Sequence, residues 1–301
     1  MSVDAIVWPQ KSREMQGVKF DSAAWNEFAF RDDDITIVTY EKAGTTWMQQ
    51  IVAQLVFQGA ENVDVQAISP WLDLRLPPLP AKLALLEAQQ HRRFIKTHLP
   101  IEAMRYEPRA KYIYVGRDGR DVAWSLYNHL INYTDEYIAQ LNALPEWHGP
   151  KLRKPSGSVR DFFLTWMAQD GDPIGPFWPH VRGWWLARDL PNLLLVHYAT
   201  LKSDLAGEIS RIAQFLGISA DAETLSRIEQ HCTFNYMKAN AEKFAPRGGQ
   251  QFEGGAQSFI YKGTNGRWGD ILTRSEIASY EATARRELGE ACAEWLATGK
   301  L

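Results

Sequence analysis

Cysteine is nearly missing from this 301-residue chain, where only Cys232 and Cys292 occur. Two thiols exclude a disulfide framework and a multi-cysteine metal site, and their scarcity fits a reducing compartment. No apolar run approaches membrane-spanning length, and the opening Met-Ser-Val-Asp-Ala-Ile-Val-Trp-Pro has neither a basic segment nor a signal-length apolar stretch. A cytoplasmic protein without a membrane partner is the expectation. Charge of one sign is also lacking: 33 basic against 36 acidic residues leave −3, which argues against broad attraction to nucleic acid. Any polyanion site must be local. There is no repeat of fixed period. A Walker A loop is absent as well, since it places its lysine after a second glycine and directly before Ser or Thr, whereas Lys42 precedes the single Gly44. The Gly116 to Gly119 spacing is too short for a dinucleotide fingerprint.

What the chain does have is a series of apolar runs, at residues 35–40, 94–95 with their flanks, 112–115 and 193–196, that read as parallel strands. Helical patterns follow three of them, so the expected fold is α/β, a doubly wound parallel sheet flanked by helices, in a single domain over residues 1–301. Leu205, Ile209, Ile212 and Leu216 form a helical stripe that Gly217 is placed to stop. Residues 68–90 and 142–185 resist regular assignment because prolines, glycines and tryptophans interrupt them, and they are expected to be insertions around a site. Residues 246–269 hold seven of the 21 glycines and read as a long loop able to approach a ligand closely. Asp32-Asp33-Asp34 reads as a polar turn, and the basic run 151–154 as either solvated surface or a lure for an acidic acceptor.

Four segments carry chemistry. The first runs from the strand at 35–40 through Lys42, Ala43, Gly44, Thr45, Thr46 and Trp47 into a helix whose apolar face is Met48, Ile51, Val52, Leu55 and Val56. The first amides of a helix lack intrahelical partners and lie at its positive end, which suits a phosphate, and Lys42 adds a full charge. An ordinary strand-to-helix turn is the plain alternative. The second is Phe94-Ile95-Lys96-Thr97-His98-Leu99-Pro100, where strand alternation directs Lys96 and His98 to one side. Ligands of an open parallel sheet lie beyond the carboxyl ends of its strands, so His98 can meet the Lys42 loop there as a proton acceptor.

In the third, the strand ending at Val115 leads into Gly116-Arg117-Asp118-Gly119-Arg120-Asp121, with Asp121 the expected helix cap. Val122, Ser125, Leu126 and His129 then share one helix face. Arg117 and Ser125 are placed to hold a second phosphate, a fork of guanidinium donors beside a hydroxyl. An Arg117 to Asp121 ion pair is the alternative. The fourth, Tyr261-Lys262-Gly263-Thr264-Asn265-Gly266-Arg267-Trp268, has the makings of an anion nest, although alone it signals only a turn.

In this order the four segments resemble the cytosolic sulfotransferases, and the likeness spans most of the chain. The resemblance implies a P-loop-kinase-like fold with loop insertions over the acceptor site, and transfer of a sulfuryl group from 3′-phosphoadenosine 5′-phosphosulfate (PAPS) to a hydroxyl or amine. Lys42 to Trp47 is similar to the loop for the donor's 5′-phosphate, Lys96-Thr97-His98 to the catalytic segment, and Arg117 with Ser125 to the 3′-phosphate site. The likeness also assigns Trp47 to adenine stacking, Tyr198, Thr233 and Phe234 to the nucleotide pocket, and Lys262 and Gly263 to the 3′-phosphate. Tyr261 stands where many relatives carry arginine, which removes a charge from that site. Residues after Trp268 reproduce the family's dimerisation pattern poorly and leave the oligomeric state open.

The mechanism so implied has His98 take the acceptor's proton, Lys42 neutralise charge on the departing phosphate, and Lys96 support the transferring group, with no metal required. Ser125 would additionally bind Lys42 while the acceptor site is empty. The tryptophan-rich and proline-rich segments suggest a small, apolar or aromatic acceptor, or alternatively they build the core. A nucleotide-dependent small-molecule kinase on a related fold is the rival reading, and an inactive nucleotide-binding scaffold a weaker one.

Overall fold

A computed structural model describes residues 6–145 and 147–301; residues 1–5 of the opening segment and Glu146 of the 142–185 segment lie outside the described residues. Four strands, β1 (Ile35–Thr39), β2 (Phe94–Thr97), β3 (Lys111–Gly116) and β4 (Leu193–His197), form one sheet in the order β2-β1-β3-β4. All pairings are parallel, with Ile35 opposite both Phe94 and Lys111, and Tyr112 opposite Leu193. The four apolar runs of the sequence are these strands.

Both faces of the sheet are covered, which is why the strands read as continuous apolar runs rather than alternating ones. Ile35, Ile37, Ile113 and Val115 pack with Met48, Ile51, Val52 and Leu55 of the Thr45–Val56 helix and with Ile209, Ile212 and Leu216 of the Leu205–Leu216 helix. Val38, Tyr40, Tyr112 and Tyr114 point the other way, into a core with Val122, Leu126, Trp184 and Trp295. Gly217 ends the Leu205–Leu216 helix at φ 66°, the left-handed cap expected of it.

Several local expectations are corrected. Residues 68–90 contain a regular helix, Leu79–Ala88, because Pro80 falls in its first turn, where a missing N–H costs nothing. The 142–185 segment contains the helices Val159–Ala168, started by a Ser158 and Asp161 capping box, and Phe177–Leu186. Trp166, Trp178 and Trp184 are buried core residues, not walls of a pocket. The glycine-rich 246–269 segment is not one open loop but includes the short helix Gly255–Phe259 and the 3-10 turns Pro246–Gly249 and Arg267–Asp270. Asp118, rather than Asp121, caps the Gly119–Ile131 helix, accepting from the Arg120 amide, since the helix begins three residues earlier than expected. Asp34 leaves the polar turn for the interior, where both its oxygens meet Arg93. Lys154 is engaged by Asp135 at 2.8 Å and Glu253 at 3.4 Å, away from the cavity described below.

β1 lies between β2 and β3, so the connections from β1 and from β3 leave in opposite directions. The crevice past their carboxyl ends is therefore the switch point at which such sheets bind ligands.

Candidate active site

β1 ends at Thr39, and the chain turns sharply through Lys42 at φ 70° and Gly44 at φ 115° before the helix starts at Thr45. The turn is tight because a neighbour presses on it: a β-carbon on Gly44 would come within 2.9 Å of the Tyr198 ring. Thr39 Oγ1 and Thr45 Oγ1 are 2.6 Å apart, which ties the strand end to the helix start.

His98 follows β2. Its Nδ1 lies 2.8 Å from the Thr39 carbonyl oxygen. A carbonyl only accepts, so Nδ1 carries the proton and donates it, and the Nε2 lone pair is left free. Burial is the main influence on this imidazole and lowers its pKa to about 4, against the opposing pull of Glu41. Lys96, one position before Thr97 at the end of the same strand, is pushed down to about 8 by burial, with Glu41 and Asp73 acting the other way. Burial likewise lowers Lys42 to about 7, with Glu41 opposing and Lys19, Arg117 and Lys96 reinforcing the shift.

The expected Lys42 to Ser125 contact is not formed. Lys42 Nζ stands instead 3.2 Å from Nδ1 of His129, one turn further along the helix face predicted for Ser125, and 4.8 Å from the Phe259 ring centroid. Tyr133 holds the opposite nitrogen of His129 at 2.8 Å. Ser125 still lines the cavity. The Arg117 to Asp121 pair is absent too. Arg117 donates to the Lys42 carbonyl and to Asn265 Oδ1, each at 2.9 Å, and lies 4.1 Å from the Tyr198 ring centroid. Asp121 instead accepts from the Gly266 amide at 2.8 Å, which draws the carboxyl-terminal loop over the site. Buried Nε of Arg117 has no partner among the described residues, an unspent donor beside the Lys42 turn.

Gly263, at φ 61°, packs so closely on Phe234 that a β-carbon would come within 2.6 Å of its ring. Phe234 remains 39% exposed. Lys202 Nζ donates to the Gly263 carbonyl at 2.7 Å. Lys262 is exposed beside Tyr261. Trp47 donates from its indole nitrogen to the Cys232 carbonyl at 2.7 Å, immediately before Thr233, whose hydroxyl caps the Phe234–Ala239 helix. Trp47 also meets Tyr198 edge to face at 5.4 Å.

These groups converge on one cavity of about 630 Å³. Of the expected residues, Lys42, Gly44, Thr45, Thr46, Trp47, Lys96, His98, Arg117, Ser125, Tyr198, Phe234, Lys262 and Gly263 line it; Ala43 and Thr233 do not. Ala43 is buried within the turn, because its side chain packs into the core beneath the loop. Sequence reasoning missed Lys19, Glu41 and Trp71, and the contact of Asn265 with Arg117. Glu41 sits next to Lys42 and was findable; Lys19 gave no local signal at all. Among the described residues no group of three or more His, Cys, Asp or Glu is gathered as a metal site would be, and no helix is long and apolar enough to cross a membrane.

The crevice at the switch point and the cluster of basic donors around it define an anion-handling α/β enzyme. Residues 32–292 match the family model of the sulfotransferase domain, and the chain belongs to that family: it is a sulfotransferase, the class that the four motifs resemble. It is 33% identical to a glycolipid sulfotransferase of Mycobacterium bovis and 34% identical to one of Mycobacterium tuberculosis, each over 86% of both chains. The crystal structure of mouse sulfotransferase SULT7A1 complexed with PAP shares the fold, with a TM-score of 0.69 and 22% identity over 91% of each chain.

Proposed function

We propose that this chain, as one cytoplasmic domain over residues 1–301, transfers a sulfuryl group from PAPS to a hydroxyl of a small acceptor with a large apolar part, with an amine as the less favoured nucleophile. The observation that carries this reading is the placement of a neutral imidazole with a free Nε2 in the same cavity as Lys42, Lys96 and Arg117. The relatives named for glycolipids favour the hydroxyl.

The residues fit the donor. Arg117 Nε is a buried donor awaiting an acceptor, which suits the 3′-phosphate together with Ser125, Lys262 and the Gly263 backbone. Lys42, Ala43, Gly44, Thr45 and Thr46 offer amides, hydroxyls and an ammonium for the 5′-phosphate. Trp47, Tyr198, Thr233 and Phe234 would border the nucleoside, and the open face of Phe234 is free to stack. When bound, the donor supplies a sulfuryl group whose departure leaves a stabilised phosphate.

The protein's part is positioning, proton removal and charge stabilisation. His98 accepts the acceptor's hydroxyl proton at Nε2, and the Thr39 carbonyl steadies the resulting imidazolium through Nδ1–H. Lys42, once released from His129, is the cation nearest the turn and neutralises charge developing on the leaving phosphate, while Lys96 supports the transferring group. Ser125 is the neighbouring hydroxyl available to Lys42 when donor is present and acceptor absent. Removing the Ser125 hydroxyl should then speed donor hydrolysis without acceptor.

Calorimetry with 3′-phosphoadenosine 5′-phosphate, followed by a screen of phenols, alcohols, steroids, amines and glycolipids with labelled donor, tests the proposal. Binding of the nucleotide and label transfer to a hydroxyl compound is the expected result. Tight ATP binding with transfer of phosphate would establish the kinase reading instead.

A further inference from the structure

The lining of the cavity includes the aliphatic residues Leu74, Leu76, Pro77, Ala81 and Leu85, yet an ion pair, Lys19 with Glu41, also lines it. Lys19 Nζ lies 2.6 Å from Glu41 Oε2, and the two side chains are 5% and 6% exposed. Withdrawing two charges from water is costly unless their remaining hydrogen-bonding capacity is met. Here it is not met by the protein. An ammonium offers three donors, and Lys19 spends one, on Glu41; Glu41 Oε1 has no partner among the described residues. Another buried pair behaves differently: Asp34 receives Arg93 Nε at 2.8 Å and the Arg31 amide at 2.8 Å, and Arg93 also donates to the Ala29 carbonyl. That pair is closed and lines no part of the cavity, whereas Lys19 and Glu41 keep free valences at a ligand site.

Their position is close to the reacting hydroxyl. Glu41 lies two residues beyond Thr39, whose carbonyl holds His98. Lys19 Nζ is 5.7 Å from the centroid of the Trp71 ring, and the same ring meets His98 at 4.7 Å. Pair and imidazole thus flank one indole. Leu85 both lines the cavity and is 40% exposed, so the aliphatic lining reaches the surface, where a chain could leave.

We propose that the Lys19–Glu41 pair is an acceptor-recognition element, hydrogen-bonding hydroxyls adjacent to the one that His98 deprotonates, and that it selects polyol-headed amphiphiles over simple alcohols. Neighbouring hydroxyls fit this pair because each can donate to a carboxylate oxygen and accept from an ammonium. The pair is neutral overall, so it favours an uncharged polyol over an acid or an amine. A head without the extra hydroxyls would leave the pair dry and unpartnered, which a site built for hydroxyls penalises strongly. The aliphatic wall takes the tail. This inference rests on the sulfotransferase reading above and names its acceptor class.

The test compares octyl β-glucoside with octan-1-ol in the wild type and in the isosteric, charge-free double variant Lys19→Met with Glu41→Gln. The wild type should prefer the glucoside in kcat/KM, and the variant should lower the glucoside-to-octanol ratio by about 100-fold or more. A ratio unchanged by the double substitution overturns the proposal. Nucleotide binding by calorimetry reports whether the variant folds; if it does not, the wild type decides alone, with octane-1,2-diol against octan-1-ol, and an absence of preference for the diol overturns it. Failure to transfer sulfuryl to any acceptor strikes the sulfotransferase reading itself, whereas efficient transfer to octan-1-ol without preference strikes only the role of the pair.

Discussion

Thr39 ends β1 and His98 follows the adjacent parallel strand β2, and the 2.8 Å contact from the imidazole Nδ1 to the threonine carbonyl oxygen fixes which nitrogen can act as a base. A second contact, 3.1 Å to Thr39 Oγ1, brings the same imidazole to the hydroxyl that is bonded to Thr45 at the helix start. Proton acceptor and anion cradle are therefore braced against one residue. His98→Ala should lower kcat by about 100-fold to 10,000-fold, the usual worth of a general base, while calorimetry finds nucleotide affinity unchanged. Full turnover in the variant would remove His98 from the mechanism.

Opposite limbs of the pH profile follow from the same burial. His98 works neutral, and burial lowers its pKa to about 4, so activity should rise as pH climbs through that value. Lys42 works protonated, and burial lowers its pKa to about 7, so activity should fall as pH passes it. kcat/KM for the donor reports the free enzyme and should show both limbs. In kcat the alkaline limb should move upward, because a bound phosphate favours the charged ammonium. Glu41→Gln takes away the carboxylate that supports the Lys42 charge, so its alkaline limb should shift to lower pH. An unshifted limb would detach Glu41 from Lys42.

Much of this site was legible in the sequence because its parts are local. A strand buried on both faces is an apolar run, and the turn that follows it occupies the next few residues, so Lys42, His98 and Arg117 each arrive with their own context. Long-range pairings were not legible: nothing near Lys19 announces Glu41, and Arg93 reaches Asp34 across 59 positions. Prolines also misled, since Pro80 punctuates the sequence yet sits in a first helical turn that tolerates it. The tryptophans of 142–185 were ambiguous for another reason: large aromatic residues serve cores and pockets alike, and only packing assigned Trp166 and Trp184 to the core.

The contact between Gly263 and Phe234 gives a third prediction. Gly263 adopts φ 61°, and a methyl group there would be 2.6 Å from the Phe234 ring. Gly263→Ala must move that ring or the backbone, and left-handed backbone itself costs a non-glycine residue about 1 kcal/mol. Since Phe234 is proposed to border the nucleoside, affinity for 3′-phosphoadenosine 5′-phosphate should fall about tenfold, the worth of roughly 1.4 kcal/mol. At saturating donor, kcat should be largely retained. Unaltered affinity in the alanine variant would place the nucleoside elsewhere.

Stability should depend on Asp34 far more than on its neighbours in the acidic turn. The Asp34 and Arg93 side chains are each 2% exposed and share two hydrogen bonds, and the Arg31 amide adds a third to the carboxylate. Asp34→Ala leaves a buried guanidinium with only the exposed Glu87 carboxylate, 3.8 Å away, a loss of about 3–5 kcal/mol and thus a large share of a typical folding free energy. Asp32, 79% exposed, contacts Arg109 at the surface, where water and salt already satisfy both charges. Asp32→Ala should accordingly leave the urea midpoint where it is, while Asp34→Ala lowers it sharply. Replacing Asp34 and Arg93 together by leucine should recover only part of the loss, because the Arg31 amide and the Ala29 carbonyl would then lose their partners. Equal midpoints for the two single variants would show that the buried pair carries no special weight in holding β1 against β2.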